Sequence, residues 1–176
     1  MNVGDWSAAR TLQTDRLRLE PLRTDHADEM QPLLDDPDLH EFIGGEPAAL
    51  DDLRARYARQ AVGQSSDGSQ RWFNWVLRRR DTGEVAGTVQ ATVSDEDGGL
   101  TGEIAWVVGV SQQGHGYAKE AAGAMADWLR QEGVDVLIAH VHPDHAASVA
   151  VARAVGLDPT DTVVDGEIRW QDGGSG

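Results

Sequence analysis

Gln113-Gly114-His115-Gly116-Tyr117-Ala118 stands between an apolar, strand-like stretch, Ile104 to Val110, and a helix-like one, Lys119 to Gln131. A glycine-rich turn that feeds a helix N-terminus is a phosphate cradle. Residues without bulk let the backbone come close to a ligand, several N–H groups converge, and the helix dipole adds roughly half a positive charge at that end. The same hexapeptide alone would also suit an ordinary helix entry, so its neighbours must decide.

Upstream, Arg16 to Leu22 alternates apolar and polar residues at period two and reads as a half-buried strand. Thr24-Asp25-His26 offers N-cap candidates for a helix through Ala27, Met30, Leu33 and Leu34, which ends near Asp35-Asp36-Pro37-Asp38. A second helix is expected from Pro47 to Val62, with Leu50, Leu53 and Tyr57 as its apolar stripe. Trp72 to Leu77, Glu84 to Val93 and Thr101 to Val110 then read as three antiparallel strands, joined by turns at Arg80 to Gly83 and Asp95 to Gly99. The acidic second turn lacks the spaced-ligand pattern of a calcium loop and is assigned no metal.

Downstream of the cradle helix, Gly133 marks a stop and Val134 to Val141 is a β-branched strand. A helix from about His145 to Val155 ends at Gly156, and Thr162 to Trp170 closes the chain as a hairpin around Asp165-Gly166. The order is β-α-α-β-β-β-α-β-α-β-β. Residues 1–13 are expected to be a flexible extension, 14–171 one domain and 172–176 a disordered tail.

With 176 residues, 40% of them hydrophobic, the chain can bury a real core. It shows neither a membrane span nor a signal-like start, which points to the cytoplasm. The absence of cysteine excludes disulfides, thiolate metal sites and a cysteine nucleophile, so any thioester sulfur must belong to a cofactor. Thirty acidic against fifteen basic residues, a formal charge of −15, argue against nucleic acid as partner and favour cationic amines or basic peptides; solubility alone would also account for the acidity.

Three blocks together resemble the GNAT superfamily of acetyl-CoA-dependent N-acetyltransferases, particularly the branch that acetylates ribosomal-protein N-termini. The resemblance spans about Thr14 to Trp170. Thr14-Asp15-Arg16-Leu17-Arg18-Leu19-Glu20-Pro21-Leu22 looks like the branch's first strand, and Glu103 to Ala118 carries the Arg/Gln-x-x-Gly-x-Gly/Ala pattern as Gln113, Gly116 and Ala118. The third block, His145-Ala146-Ala147-Ser148 with Val155-Gly156-Leu157, is similar to an Asn-x-x-Ser/Ala helix ending in Leu-Gly-Phe. Three departures stand out: His145 replaces a cofactor-contacting asparagine, Ala152 replaces a tyrosine used as general acid, and Val110 replaces a frequent proline.

The resemblance implies a single α/β domain whose mixed, mostly antiparallel twisted sheet is flanked by helices, with acetyl-CoA as acyl donor. Amides from Gln113 through Gly114, His115, Gly116, Tyr117 and Ala118 to Lys119 would grip the pyrophosphate. Main chain at Trp106, Val107 and Val108 would take the pantetheine arm as an added strand, a bulge would release an N–H for the oxyanion, and His145 would contact the cofactor. Direct attack needs a neutral amine. A lysine-like amine (~10.4) costs about 4.6 kcal/mol to deprotonate at pH 7, an α-amine (~7.8) about 1. Glu103 matches a carboxylate base of part of the family, or is a solvent-facing strand glutamate. Ser148 either hydrogen-bonds the thiolate or satisfies a first helical turn.

The natural acceptor stays open between a peptide or ribosomal-protein N-terminus and a small amine such as an aminoglycoside or polyamine. A reading of another class is a catalytically weak acyl-CoA-binding regulatory module, motivated by His145 and Ala152. His140, His142 and His145 also suggest a zinc site, set against a polar strand end beside the cleft; no metal is assigned. Asp35, Asp36, Asp38 and Glu41 could steer a cationic acceptor or simply be a solvated loop, and one of Trp72, Trp75 and Trp106 is expected to line the acceptor pocket. Monomer and homodimer are both compatible.

Overall fold

Alternation at period two sorts each long strand into two faces, and the sheet is covered on both. A computed structural model describes residues 9–35, 49–96 and 98–172. Its elements run β1 (Leu12–Gln13), β2 (Leu17–Pro21), α1 (His26–Leu34), α2 (Leu50–Ala61), β3 (Gln70–Arg79), β4 (Val85–Glu96), β5 (Gly99–Val108), a short 3-10 turn (Val110–Gln112), α3 (Tyr117–Gln131), β6 (Val136–Val141), α4 (Ala146–Ala154), β7 (Leu157–Val164) and β8 (Glu167–Asp172). The eight strands form one sheet in the order β1-β2-β3-β4-β5-β6-β8-β7. Every pairing is antiparallel except β5 with β6, where α3 makes the crossover.

On one face Phe73, Trp75 and Leu77 of β3, Val89, Ala91 and Val93 of β4 and Ile104 of β5 pack under the inner stripe of α3, Ala121, Ala122, Met125, Ala126 and Leu129. Trp128 meets Phe73 and Trp75 edge to face at 5.2 and 5.5 Å. The indole Nε1 of fully buried Trp75 donates to Arg10 O at 2.7 Å. On the other face Leu22, Val76 and Val85 pack against Ala27 and Met30 of α1 and Leu53 and Tyr57 of α2.

The element order is the expected one, and the differences lie at the ends. Leu12 and Gln13 pair with Leu19 and Arg18, so the sheet starts inside the stretch expected to be a loose extension. Asp172 belongs to the last strand rather than to a tail, because its carboxylate accepts Leu137 N at 2.9 Å and Arg130 Nη2 at 2.9 Å. The closing hairpin begins at Leu157, not Thr162. Leu157 is buried, and Pro159 is tolerated because β7 is the edge strand, with a register shift before Val163. Helix α2 starts at Leu50; Pro47 lies outside the described residues.

The polar cluster that docks α1 predicts a pH dependence. His26 is fully buried; its Nδ1 accepts Arg23 N at 2.9 Å and its Nε2 faces Glu20 Oε1 at 3.2 Å. Arg78 donates to both Glu20 and Glu29. Burial alone would raise the Glu20 carboxyl, yet hydrogen bonds from Arg18, Arg78 and His26 outweigh it and hold the group at about 2 instead of 4.5. A depressed folded-state value stabilises above the unfolded pKa and is lost as pH falls through the folded one, here between about 4.5 and 2, with at most on the order of 3 kcal/mol at stake. The melting-temperature gap between wild type and Glu20→Gln should therefore shrink as pH drops across that window. A gap independent of pH would refute this role.

Candidate active site

The expected cradle forms where β5 passes into α3. Gly114 and Gly116 both take positive φ, +84° and +80°, and Gly116 is the N-cap of α3 in the left-handed conformation. The first turn of an α-helix leaves its amides without intrahelical acceptors. The ladder here begins with Glu120 N to Gly116 O at 3.1 Å, so the amides of Tyr117, Ala118 and Lys119 belong to that first turn. Gln113 turns inward instead: its Nε2 donates to Val108 O at 3.0 Å and ties the loop to the end of β5.

A clasp behind the loop escapes a reading of the glycines alone. Arg16, at the entry to β2, donates from Nη1 to His115 O at 2.7 Å and from Nε to Glu120 Oε1 at 2.7 Å. Its amide and the Thr14 hydroxyl also donate to the Glu120 carboxylate, which these bonds hold below its ordinary range against the opposing effect of burial. The ring of buried Tyr117 lies under two guanidiniums, Arg16 at 4.9 Å and Arg79 at 5.6 Å, so this tyrosine packs the cradle. Arg79 also donates to Gln112 Oε1 at 3.1 Å. The sequence signal was the Arg16 of the opening strand motif, whose partner lies about a hundred residues away.

Beside the cradle the sheet opens. The parallel register of β5 and β6 runs only from Thr101↔Val136 to Glu103↔Ile138, whereas β5 stays paired to β4 up to Val108↔Gly87. Main-chain direction alternates along a strand. Gly109 donates to Ala86 O on β4, so Val107 and Ala105 also point their groups at β4, while Ile104, Trp106 and Val108 point toward the side where β6 has departed. Trp106 thus presents an open backbone edge, continued by the amide of Val108, whose carbonyl is taken by Gln113 Nε2. Val107, expected to share it, instead lends its side chain to a cavity on the α1–α2 face. The expected bulge in β5 is not there; the extra residue is Ala86 of β4, opposite the Leu77/Arg78 irregularity. An amide is exposed because two strands diverge.

Across this opening Trp106 Nε1 donates to Ser148 Oγ at 3.2 Å, joining β5 to the first turn of α4. Ala152, one turn on, is fully buried and carries no proton. His145 caps α4 at φ −91° and ψ 80°; burial first, and the nearby His142 charge second, push its imidazole down, so it is neutral at pH 7.

A cavity of about 230 Å³ lies between α1, α2 and the sheet, lined by Leu22, Leu53, Tyr57 and Asn74 among others, and it reaches β5 at Ala105, Trp106 and Val107. Of the three tryptophans Trp106 borders the cavity, although its indole lies on the opposite face of the sheet against Ser148; Trp75 is core. Glu103 shares the face of Ala105, one strand repeat or about 7 Å away. Its half-exposed carboxylate faces His140 Nδ1 at 3.7 Å. Among the described residues no three His, Asp or Glu side chains converge, and Asp144 N donates to His142 Nδ1 at 3.1 Å. Of the acidic steering residues only Asp35 is described.

Residues 16–158 match the acetyltransferase (GNAT) domain model, and the chain belongs to that family. It is 26% identical over 159 residues, 89% of this chain and 90% of the other, to the uncharacterized protein YkkB of Bacillus subtilis, and 25% identical over 159 residues, 89% and 87%, to an uncharacterized N-acetyltransferase, p20, of Bacillus licheniformis. Its fold is similar to that of RimL, a ribosomal L7/L12 alpha-N-protein acetyltransferase solved with coenzyme A, at TM-score 0.76 and 14% identity over 92% of this chain and 97% of that one. The protein is an acyltransferase that uses acetyl-CoA as acyl donor. The cradle amides, the glycine N-cap and the open Trp106–Val108 edge fit that donor's pyrophosphate and pantetheine amides. Among the described residues no helix is long and apolar enough to cross a membrane.

Proposed function

We propose that the protein acetylates a primary amine that enters the cavity between α2 and the β3–β5 face and from there attacks the acetyl thioester carbonyl, expelling the thiolate without a covalent enzyme intermediate. One observation supports this above all: the cavity and the open backbone edge meet at the same residue, Trp106. Bound acetyl-CoA supplies an activated acyl group on a good leaving thiol. The chain supplies the rest: the amides from Gln113 to Lys119 and His145 hold the donor, and the Trp106 edge aligns its arm. Glu103 takes the proton from the amine, directly or through water, with His140 beside it. Ser148, whose oxygen is already engaged by the Trp106 indole, directs its hydroxyl hydrogen to the thiolate. A thiol near ~8.5 needs little more help, which is why Ala152 is tolerable.

A cavity of this volume takes a small amine or the first residue of a peptide. The peptide reading has a counterpart in RimL, the ribosomal L7/L12 alpha-N-protein acetyltransferase. Release of free thiol from acetyl-CoA should be followed across a panel of peptides, amino acids and small amines, with donor binding measured by calorimetry. Turnover on at least one amine class is expected. Tight donor binding with no turnover on any would instead favour the acyl-CoA-binding regulatory module.

A further inference from the structure

Helix α2 buries the positions that helical spacing says it should, but not with the expected residue types. From Leu53 the inner stripe runs Leu53, Arg56, Tyr57, Gln60, and all four line the cavity. A helix face laid on a sheet is normally apolar, and two of these four are not. Opposite them the sheet presents Asn74, Thr88 and Gln90, side by side across β3 and β4 in register Asn74↔Gln90 and Val76↔Thr88. The cavity, apolar over most of its lining, thus carries polar groups on both walls: neutral hydrogen-bonding side chains and one charge. That charge is a cation. No carboxylate lines the cavity among the described residues.

Arg56 differs from the paired Arg54 and Arg78, and from Arg59, which also has no carboxylate partner among the described residues, in that it lines the cavity. Arg54, two residues earlier, is paired with Asp28 at 2.5 Å and Asp51 at 3.5 Å, and Arg78 is held by Glu20 and Glu29. Among the described residues no carboxylate pairs with Arg56, not even Asp52 one turn away on its own helix. In a chain of formal charge −15, such a guanidinium at a cavity mouth stands out against the surrounding field. Arg56 is exposed, so its guanidinium is accessible to a ligand; a polyamine would meet local repulsion there, and a carboxylate would gain a charge-assisted contact that a neutral amine cannot offer.

We infer that the acceptor carries a carboxylate a few bonds from its amine, as a free amino acid does, and that Arg56 grips this carboxylate while Gln60, Asn74 and Gln90 hydrogen-bond its remaining polar atoms. The inference rests on the proposed acetyl transfer and narrows its acceptor. An α-amino acid is a net-neutral zwitterion, so the acidic surface does not exclude it, and its fork of oxygens matches a guanidinium in two parallel bonds. The neighbouring carboxylate keeps the ammonium of a free amino acid more basic than a peptide N-terminus, so proton removal by Glu103 counts for more with this acceptor.

The test compares free L-amino acids, the matching amino acid amides and spermidine as acceptors of the wild type, Arg56→Gln and Arg56→Lys, reading kcat/KM by thiol release. Calorimetric titration of the same acids and amides in the presence of coenzyme A reads the preference without turnover. The wild type should prefer acids to amides by about 10- to 100-fold, the scale of a charged hydrogen-bonded contact. Arg56→Gln should erase that gap by weakening the acids only, Arg56→Lys should restore part of it, and acetyl-CoA binding should not move. Turnover of amides or spermidine as well as or better than acids, or an Arg56→Gln loss equal for acids and amides, overturns the inference while leaving acetyl transfer intact. No turnover and no acid binding, with the donor bound normally, overturns both.

Discussion

Alanine at Gly87 is expected to destabilise the protein by at least about 3 kcal/mol, lowering the melting temperature by roughly 10 °C, and to abolish measurable acetyl-CoA binding. Gly87 lies inside β4 opposite Val108, and a Cβ built on it would stand 2.0 Å from Val107 O and 2.9 Å from Val108 Cα. Those are backbone atoms, so no rotamer change relieves the clash. The end of β5 would have to move, and with it both the open edge at Trp106 and Val108 and the cavity wall at Ala105 and Val107. Gly123 is the control: a Cβ there meets nothing within 4 Å, and Gly123→Ala in α3 should stabilise by about 0.5–1 kcal/mol. Urea and thermal unfolding of both variants read the first effect and calorimetry the second. An unchanged melting temperature for Gly87→Ala would overturn the close approach of β5 to β4 at this glycine.

The second large effect is kinetic. Glu103→Gln keeps the size of the side chain and removes its ability to take a proton, so kcat at neutral pH should fall by about 10²–10³ with the acetyl-CoA dissociation constant unchanged. The deficit should depend on the amine. It is largest for a lysine-like acceptor, which costs about 4.6 kcal/mol to deprotonate at pH 7, and smaller for an α-amine. As pH rises toward the amine's own pKa, the acceptor arrives neutral and the deficit should close. A solvent-facing glutamate with a merely structural part would produce no such convergence. Equal rates for wild type and variant, with either amine, would remove Glu103 as base.

What could be read from the chain was what is local. A glycine pair before an amphipathic helix is legible as a candidate cradle, its two positive φ angles being what the structure adds, and period-two alternation announces β2 to β5 without reference to any partner. The Asp165-Gly166 turn is of the same kind, both residues at positive φ as a two-residue hairpin demands. Strand ends were less legible, because Arg78 and Arg79 are strand residues only by pairing with Arg18 and Leu17, and Leu157 only because it reaches the core.

The site itself divides along the same line. Sequence determined the residue types of the proposed donor grip, Gln113 to Lys119, and of the proposed base, Glu103, since short motifs carry their own backbone geometry. Tertiary structure decided the rest. The clasp of Arg16 on Glu120, the Trp106 bond to Ser148 and the closeness of Glu103 to His140 each join residues between 37 and 104 positions apart. The open edge exists because β6 leaves β5 after Glu103, a matter of register that no single strand encodes. The acceptor cavity is the clearest case: Arg56 and Gln60 read on their own helix as ordinary surface residues, and only the packing of α2 over Asn74 and Gln90 turns them into walls. Hydrophobic periodicity tells a helix which face to bury; what that face is buried against is set by the sheet, and there the chemistry of the acceptor is chosen.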